Sequence, residues 1–331
     1  MFVILISIDT TAVAVTLDEA LSRFVPGELP NSSYRHSFHG RSDVLSGLAD
    51  VAISNFVGRT SSQHDSHTFI LVPGGSGIGK TRLGFELTRL PLDVVQAQQG
   101  YADLPQVEQQ RLTSALQSPL YIFLDLNNGN AFCKPIDTHE ASVRLGARVA
   151  SRCLIGSDLS TVSEIDPSLI SAFSTPAVFR RLIDAKLAEL DPESVLAIVI
   201  HIDEYQFYID KASRKLKLSL ADARDHFKEL LDKIGWLMRE AWENWNLSGR
   251  FFFIPVCTGT SAIDVHYLRT EYRQHVVRLS PLSREDALQM CAGRYDSDPL
   301  WPQVSLQNHF LVALGDTGTL LFFTFSYDLF F

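Results

Sequence analysis

The segment Gly74-Gly-Ser-Gly-Ile-Gly79-Lys80-Thr81 constrains this chain more than any other part of it. Its glycines let the backbone curl so that successive N–H groups converge on one point, where they can hold an anion such as a phosphate. Lys80 adds a positive charge and Thr81 a hydroxyl, the donors that a phosphate chain and its divalent cation require. The flanks agree with this. Thr68-Phe-Ile-Leu-Val72 is a short unbroken apolar run, read as a buried strand entering the loop, and a helix is expected from Lys80 to about Arg89, ended by Pro91.

More strands of the same kind follow. Leu120 to Leu126 is closed by the turn Asn127-Asn-Gly129, Val195 to Ile202 is the most apolar, Arg250 to Cys257 is a fourth and Val276 to Leu279 a short fifth. Helices are expected over Arg41–Phe56, before the first strand, and over Glu140–Leu154, Pro176–Leu190 and Ala221–Trp245, between the later ones. Strands that are apolar throughout and alternate with helices predict a parallel sheet covered on both faces. The expected fold is therefore a three-layer α/β architecture around a mainly parallel five-stranded sheet.

The third strand ends Ile198-Val-Ile-His-Ile-Asp203-Glu204. An acid at the tip of a buried strand beside a phosphate loop can hold the Mg²⁺ water shell. Asp203 and Thr81 are thus the candidate metal ligands, and Glu204 a candidate general base toward an attacking water. The loop and acid strand correspond to the Walker A and Walker B patterns of P-loop NTPases. The interval 203 − 80 = 123 residues leaves room for an additional strand, and the second carboxylate points to hydrolysis rather than small-molecule phosphoryl transfer.

Other positions join this set. Thr258 and Thr260, in Cys257-Thr-Gly-Thr260-Ser261, can each reach a γ-phosphate or orient the water (the sensor 1 role), against a plain Thr-rich turn capping the strand. His39-Gly40-Arg41 resembles the box that packs on adenine in AAA and STAND ATPases, against a plain N-terminal turn. Gly40 and Arg41 are therefore candidate nucleotide contacts alongside Gly74, Gly75, Ser76, Gly77, Ile78, Gly79, Lys80 and Thr81. Leu279-Ser-Pro-Leu-Ser-Arg-Glu-Asp-Ala-Leu288 resembles the segment leading from the fifth strand into a lid. As local structure it is a Pro turn and a helix capped by Ser283. A sensor 2 arginine is not recognisable, and no motif supports assigning that role to Arg284 or Arg294.

Several features read as structure. His201 is a satisfied core histidine rather than a ligand. His64 and His67 lack a Cys or carboxylate partner at useful spacing, so no metal is expected there. Lys211 to Lys217 reads as a solvated helix face rather than a contact for an acidic partner, and Trp236, Trp242 and Trp245 as packing residues.

Composition narrows the partners. The chain has 331 residues, 46% hydrophobic and 20% charged, enough to bury a core without staples. Lys plus Arg total 29 against 38 Asp plus Glu, a net charge of −9, so nothing global attracts nucleic acid or an anionic membrane. Besides a nucleotide, the partners expected are a protein or a second copy of the chain. Cys133, Cys153, Cys257 and Cys291 form no CxxC pair and read as reduced thiols of an intracellular protein. No signal peptide is well formed at Met1–Ile8, and the closing LLFFTFSYDLFF is too short and too polar for a membrane span.

Taken together, Gly74–Thr81, Leu120–Asn130, His201-Ile-Asp-Glu-Tyr-Gln206 and Phe253–Thr260 resemble the P-loop NTPase domain shared by Crinkler effectors and retrotransposon hot spot proteins. The resemblance covers roughly residues 36 to 320. It implies an additional-strand, catalytic-glutamate ATPase using ATP and Mg²⁺. In that group the domain is commonly joined to a C-terminal nuclease, and many members are secreted effectors acting in host nuclei. This chain shows no ubiquitin-like header or LxLFLAK motif and ends soon after Gly315-Asp-Thr-Gly318, which reads as an incomplete lid without the nuclease. The expected organisation is an extension over 1–35, a P-loop NTPase core over 36–280 and a partial lid over 281–331. The expected activity is ATP binding and Mg²⁺-dependent hydrolysis. A STAND-like nucleotide switch with little turnover, or an inactive fragment of a truncated gene, are the alternatives.

Overall fold

The computed structural model describes residues 16–23, 41–75, 78–247, 249–260 and 271–280. Five strands, β1 (Thr68–Pro73), β2 (Leu120–Asp125), β3 (Leu196–Asp203), β4 (Phe251–Gly259) and β5 (Arg273–Val276), form one sheet in the order β2-β3-β4-β1-β5. Every neighbouring pair is parallel. In space, β4 lies between the strand that enters the glycine loop and the strand that ends in the acid pair.

Side chains alternate across a strand, so the sheet sorts its own residues between two cores. Phe69 and Leu71, with Ile198, Ile200 and Ile202, face one core; Ile70 and Val72, with Ala197 and Val199, face the other. The first is covered by the helices Ala141–Ala150, Thr175–Leu187, Tyr205–Leu216 and Leu220–Asn244, the second by Ser42–Val57, Lys80–Glu86 and Gln106–Gln117. These are the three layers expected. β3 and β4 are buried from end to end, as central strands of a doubly covered sheet must be.

The structure corrects some boundaries. β5 covers Arg273–Val276 rather than 276–279. Its ladder opens where Arg273 N–H donates to His67 O and closes where Val277 N–H donates to Leu71 O. An edge strand needs no apolar run, and the apolar Val277 and Leu279 are core residues just beyond it. The loop helix ends at Glu86 and tightens into a 3₁₀ turn over Leu87–Arg89, while the helix from Ala141 widens into a π turn at Ser151–Ile155. Between Leu92 and Gln117 stand three helices that no apolar period announced; the longest, Gln106–Gln117, buries only Leu112, Ala115 and Leu116. Within the expected N-terminal extension, Leu17–Leu21 is a short helix whose Ala20 belongs to the same core as Phe69. Trp236, Trp242 and Trp245 pack partly buried against that core.

Cys133, Cys153 and Cys257 are free thiols, and burial pushes Cys153 and Cys257 up to about 12. Cys291 lies outside the described residues. Among those residues no helix is long and apolar enough to cross a membrane.

Candidate nucleotide site

β1 hands the chain to the loop at Pro73, and Gly74 N–H donates to Gly259 O (3.1 Å), tying the loop to the tip of β4. Gly79 closes the loop with φ +94°, a backbone conformation that L side chains rarely adopt. Among the described residues, nothing lies within 4 Å of where a Cβ at Gly75 or Gly79 would stand. Ser76 and Gly77 fall outside the described residues. The Ile78 carbonyl accepts from the guanidinium of Arg41 at 3.1 Å, which attaches the loop to the start of the Ser42–Val57 helix. Gly40 also falls outside, as do Arg284 and Arg294.

Lys80 and Thr81 open the loop helix. Lys80 is only 4% exposed, and its Nζ donates to Gly75 O at 2.8 Å. Burial lowers its pKa, while the carboxylates of Glu204 and Asp203 act in the opposite sense. The Thr81 hydroxyl donates to Asp203 Oδ2 at 2.6 Å. On the other carboxylate oxygen, Asp203 accepts from the Glu204 N–H (3.0 Å) and from the Thr258 hydroxyl. Loop helix, acid strand and β4 therefore meet at one carboxylate.

Glu204 stands just beyond β3 with φ +58°, an uncommon backbone for a residue with a side chain, which Lys217 and Asn246 share. Burial pushes its carboxyl above the ordinary glutamate range. A hydrogen bond from Gln206 and the charge of Lys80 oppose that shift, and the neighbouring Asp203 and Asp125 add to it. The Gln206 amide donates to Glu204, and its oxygen accepts from Thr260 N–H at 3.2 Å.

The structure thus brings Lys80, Thr81, Asp203, Glu204 and Thr258 together around the loop. The Thr258 side chain is fully buried, and its hydroxyl lies between Asp203 and His201 Nε2 (2.9 Å). Of the two candidates on the β4 tip, Thr260 is the partly exposed one. His201 is a buried, satisfied histidine, as expected; its Nδ1 pairs with the Tyr121 hydroxyl at 2.7 Å, and burial pulls it down to about 4.

Two participants went unnoticed in the sequence. Gln206 follows the acid pair by two residues, and a polar side chain in the first turn of the next helix was the available signal. Asp125 sits opposite Asp203 in the β2–β3 register and accepts from the Asn127 and Asn128 N–H groups at 2.9 and 3.1 Å. The Asp-Leu-Asn-Asn spelling marks that turn.

Parallel strands, a glycine loop between β1 and its helix, and an acid strand separated from β1 by one further strand define the architecture. The fold is that of a P-loop NTPase. No family model and no curated protein matches this chain. Among solved structures it is similar to the ORC1 protein of Aeropyrum pernix in complex with DNA, with 13% identity, a TM-score of 0.39, and coverage of 80% of this chain and 53% of that one. It is also similar to the ORC2 protein of Aeropyrum pernix in its ADP form, with 11% identity, a TM-score of 0.43, and coverage of 81% and 55%. The chain spans about half the length of either protein.

The residues present fit a nucleotide and its cation. A hydroxyl and a carboxylate side by side are the hard oxygen donors that Mg²⁺ takes, and among the described residues nothing fills the space that a Cβ would take at Gly75. Among the described residues, no group of three or more His, Cys, Asp or Glu could hold a metal. His64 meets one carboxylate, Glu271, and His67 is a buried ring bonded to Ser61 O.

Proposed function

We propose that the chain binds ATP and hydrolyses it with Mg²⁺. The observation carrying this reading is the Thr81–Asp203 contact, which sets the start of the loop helix against the end of the acid strand with Lys80 alongside. In this reading the loop amides and Lys80 bind the phosphates, and Thr81 and Asp203 hold the cation. Bound Mg²⁺ would offset phosphate charge as the γ-phosphoryl group leaves. Glu204 accepts a proton from the attacking water, and burial, which raises its carboxyl above the ordinary glutamate range, makes it a stronger base. Thr258 orients Asp203 from behind, which leaves the phosphate-facing position on β4 to Thr260. Arg41 supports the loop through Ile78.

A second reading has an observation of its own. The Gln206 amide occupies the Glu204 carboxylate, a restraint suited to a nucleotide-dependent switch that turns over slowly until Gln206 lets go. Phosphate release by the purified chain and by Glu204→Gln separates the two. Hydrolysis requires a wild-type rate well above that of the variant, whereas equal background rates with ATP still bound leave the switch.

The Crinkler and retrotransposon hot spot resemblance remains a proposal for the group. What supports it is that its motif residues have work to do: Tyr205, after the acid pair, is fully buried and stacks on Phe227, and the Asn-Asn-Gly turn is capped by Asp125. An effector role, a host location and the domain limits 1–35, 36–280 and 281–331 belong to the same proposal.

A further inference from the structure

His201 lies two residues before Asp203 on β3, and alternation puts both on the face of the sheet that carries the loop helix. Its ring is enclosed there. Phe123 lies 5.0 Å away between centroids and Phe85 meets it edge-on at 6.1 Å. The loop helix reserves a glycine for it, since a Cβ on Gly84 would stand 2.2 Å from the imidazole. A ring so confined offers its two nitrogens in fixed directions, Nδ1 to the Tyr121 hydroxyl and Nε2 to the Thr258 hydroxyl.

Counting hydrogens fixes the sense of this chain. A cation-binding Asp203 must be ionised, so its carboxylate only accepts. Thr258 has one hydroxyl hydrogen, and its contact with Asp203 Oδ1 requires it. The hydrogen between His201 and Thr258 therefore sits on Nε2, which leaves Nδ1 to accept from Tyr121. Donation runs one way from Tyr121 through His201 and Thr258 to Oδ1 of Asp203, and Oδ2 is left turned toward Thr81. Reversing any link would set two acceptors against each other in a dry interior, which is costly.

We propose that His201 is a positioning residue for the cation site, holding the Thr258 hydroxyl on Asp203 so that Oδ2 stays aligned with Thr81. The inference rests on the nucleotide reading above. Groups that orient metal ligands from outside typically change metal affinity by about 10–100-fold when removed. Two properties should then separate in this protein: ATP binding without cation depends on the loop, and the gain on adding Mg²⁺ depends on the relay.

The test is calorimetric titration of the full chain with a non-hydrolysable ATP analogue, in EDTA and in Mg²⁺. His201→Phe keeps an aromatic ring in the cage but removes both hydrogen bonds; it should lose about 10–100-fold of the Mg²⁺-dependent gain and bind as wild type in EDTA. His201→Gln, whose amide can place N–H near the Nε2 position, should restore most of the gain. Tyr121→Phe should lose part of it. The inference is overturned if His201→Phe keeps the full gain, if both buffers show the same loss, or if His201→Gln fails as badly as His201→Phe. Should His201→Phe not fold, the Gln and Tyr121→Phe variants decide by the same criteria. Wild type that binds the analogue in neither buffer would sink the nucleotide reading itself, whereas wild type with a Mg²⁺ gain that no relay variant alters leaves that reading standing and removes only this one.

Discussion

Thr81 and Asp203 are 122 positions apart in the chain and 2.6 Å apart in the structure. That contact closes a path from β1 through the glycine loop to the loop helix and across to the end of β3. Nothing local holds it: the sheet order places β4 between β1 and β3, so the loop helix must reach over β4 to meet the acid. Any change at either end should be felt as a loss of ligand response rather than of fold.

Lys80→Ala tests the loop end. The ammonium is buried and destabilised there by desolvation, partly offset by Glu204 and Asp203. Its removal should leave the ligand-free melting temperature close to wild type. ATP at one hundred times its Kd stabilises a protein by about 2.7 kcal/mol, equivalent to roughly 5–10 °C for a domain of this class. Thermal melts with and without Mg²⁺-ATP should show that rise in wild type and none in Lys80→Ala. An equal rise in both proteins would show that ATP binds elsewhere.

A different interior pair governs stability. Arg148 and Asp137 are both completely buried and joined at 2.8 Å, with Arg148 also donating to the Asn130 and Arg144 carbonyls. Breaking a buried pair by removing one partner typically costs about 3–5 kcal/mol, because the other charge is left unpaired. Asp137→Ala should therefore unfold at much lower urea than wild type. Replacing both, as Asp137→Leu with Arg148→Met, should recover a large part of the loss. Single and double variants falling together would mean that the pair stabilises through its shape alone.

His226 gives a pH dependence with a defined sign. It stacks on Tyr208, touches Arg144 and Asp137 O, and its pKa is lowered by burial and then by the Arg144 charge. A histidine whose folded pKa lies below the unfolded value of about 6.5 binds its proton more readily in the unfolded chain. Its contribution is present above pH 6.5 and is lost as pH falls through the folded pKa. Asp137 and Glu229 face it and temper the shift, and His67 and His201 titrate in the same sense. Urea midpoints between pH 8 and 5 should fall, and less steeply for His226→Gln. A parallel slope in the variant would remove His226 from the account.

Much of this architecture was readable from residue order. The loop, the acid pair and four of the five strands announce themselves because central parallel strands must be apolar on both faces, and phosphate chemistry fixes residue types at fixed spacing. The period-two rule even puts His201 and Asp203 on one face. What could not be read depends on packing across the sheet. Thr258 looked able to meet a phosphate, and only the β3–β4 register shows it turned inward between His201 and Asp203. β5 was displaced because an edge strand is specified by its partner β1 rather than by its own hydropathy. The helices from Leu92 to Gln117 escaped notice because each buries too few residues to display a period.

Gly84 offers a direct view of how closely the loop helix sits on the acid strand. In an exposed helix, Gly→Ala gains roughly 1 kcal/mol of helix propensity. Here the added methyl would stand 2.2 Å from the His201 ring, which is itself fixed by Tyr121, Thr258 and its aromatic cage. Overpacking of a filled core costs about 1–3 kcal/mol, so the clash should outweigh the propensity gain and Gly84→Ala should be destabilised. His201→Ala removes the obstacle at the cost of a cavity, and the methyl introduced by Gly84→Ala would fill part of that space. The double variant should therefore be more stable than the sum of the two single losses implies, a coupling expected only of residues in contact. Denaturant midpoints of the four proteins in this cycle measure it. Strict additivity would mean that Gly84 and His201 do not meet, and that the loop helix lies farther from β3 than these distances place it.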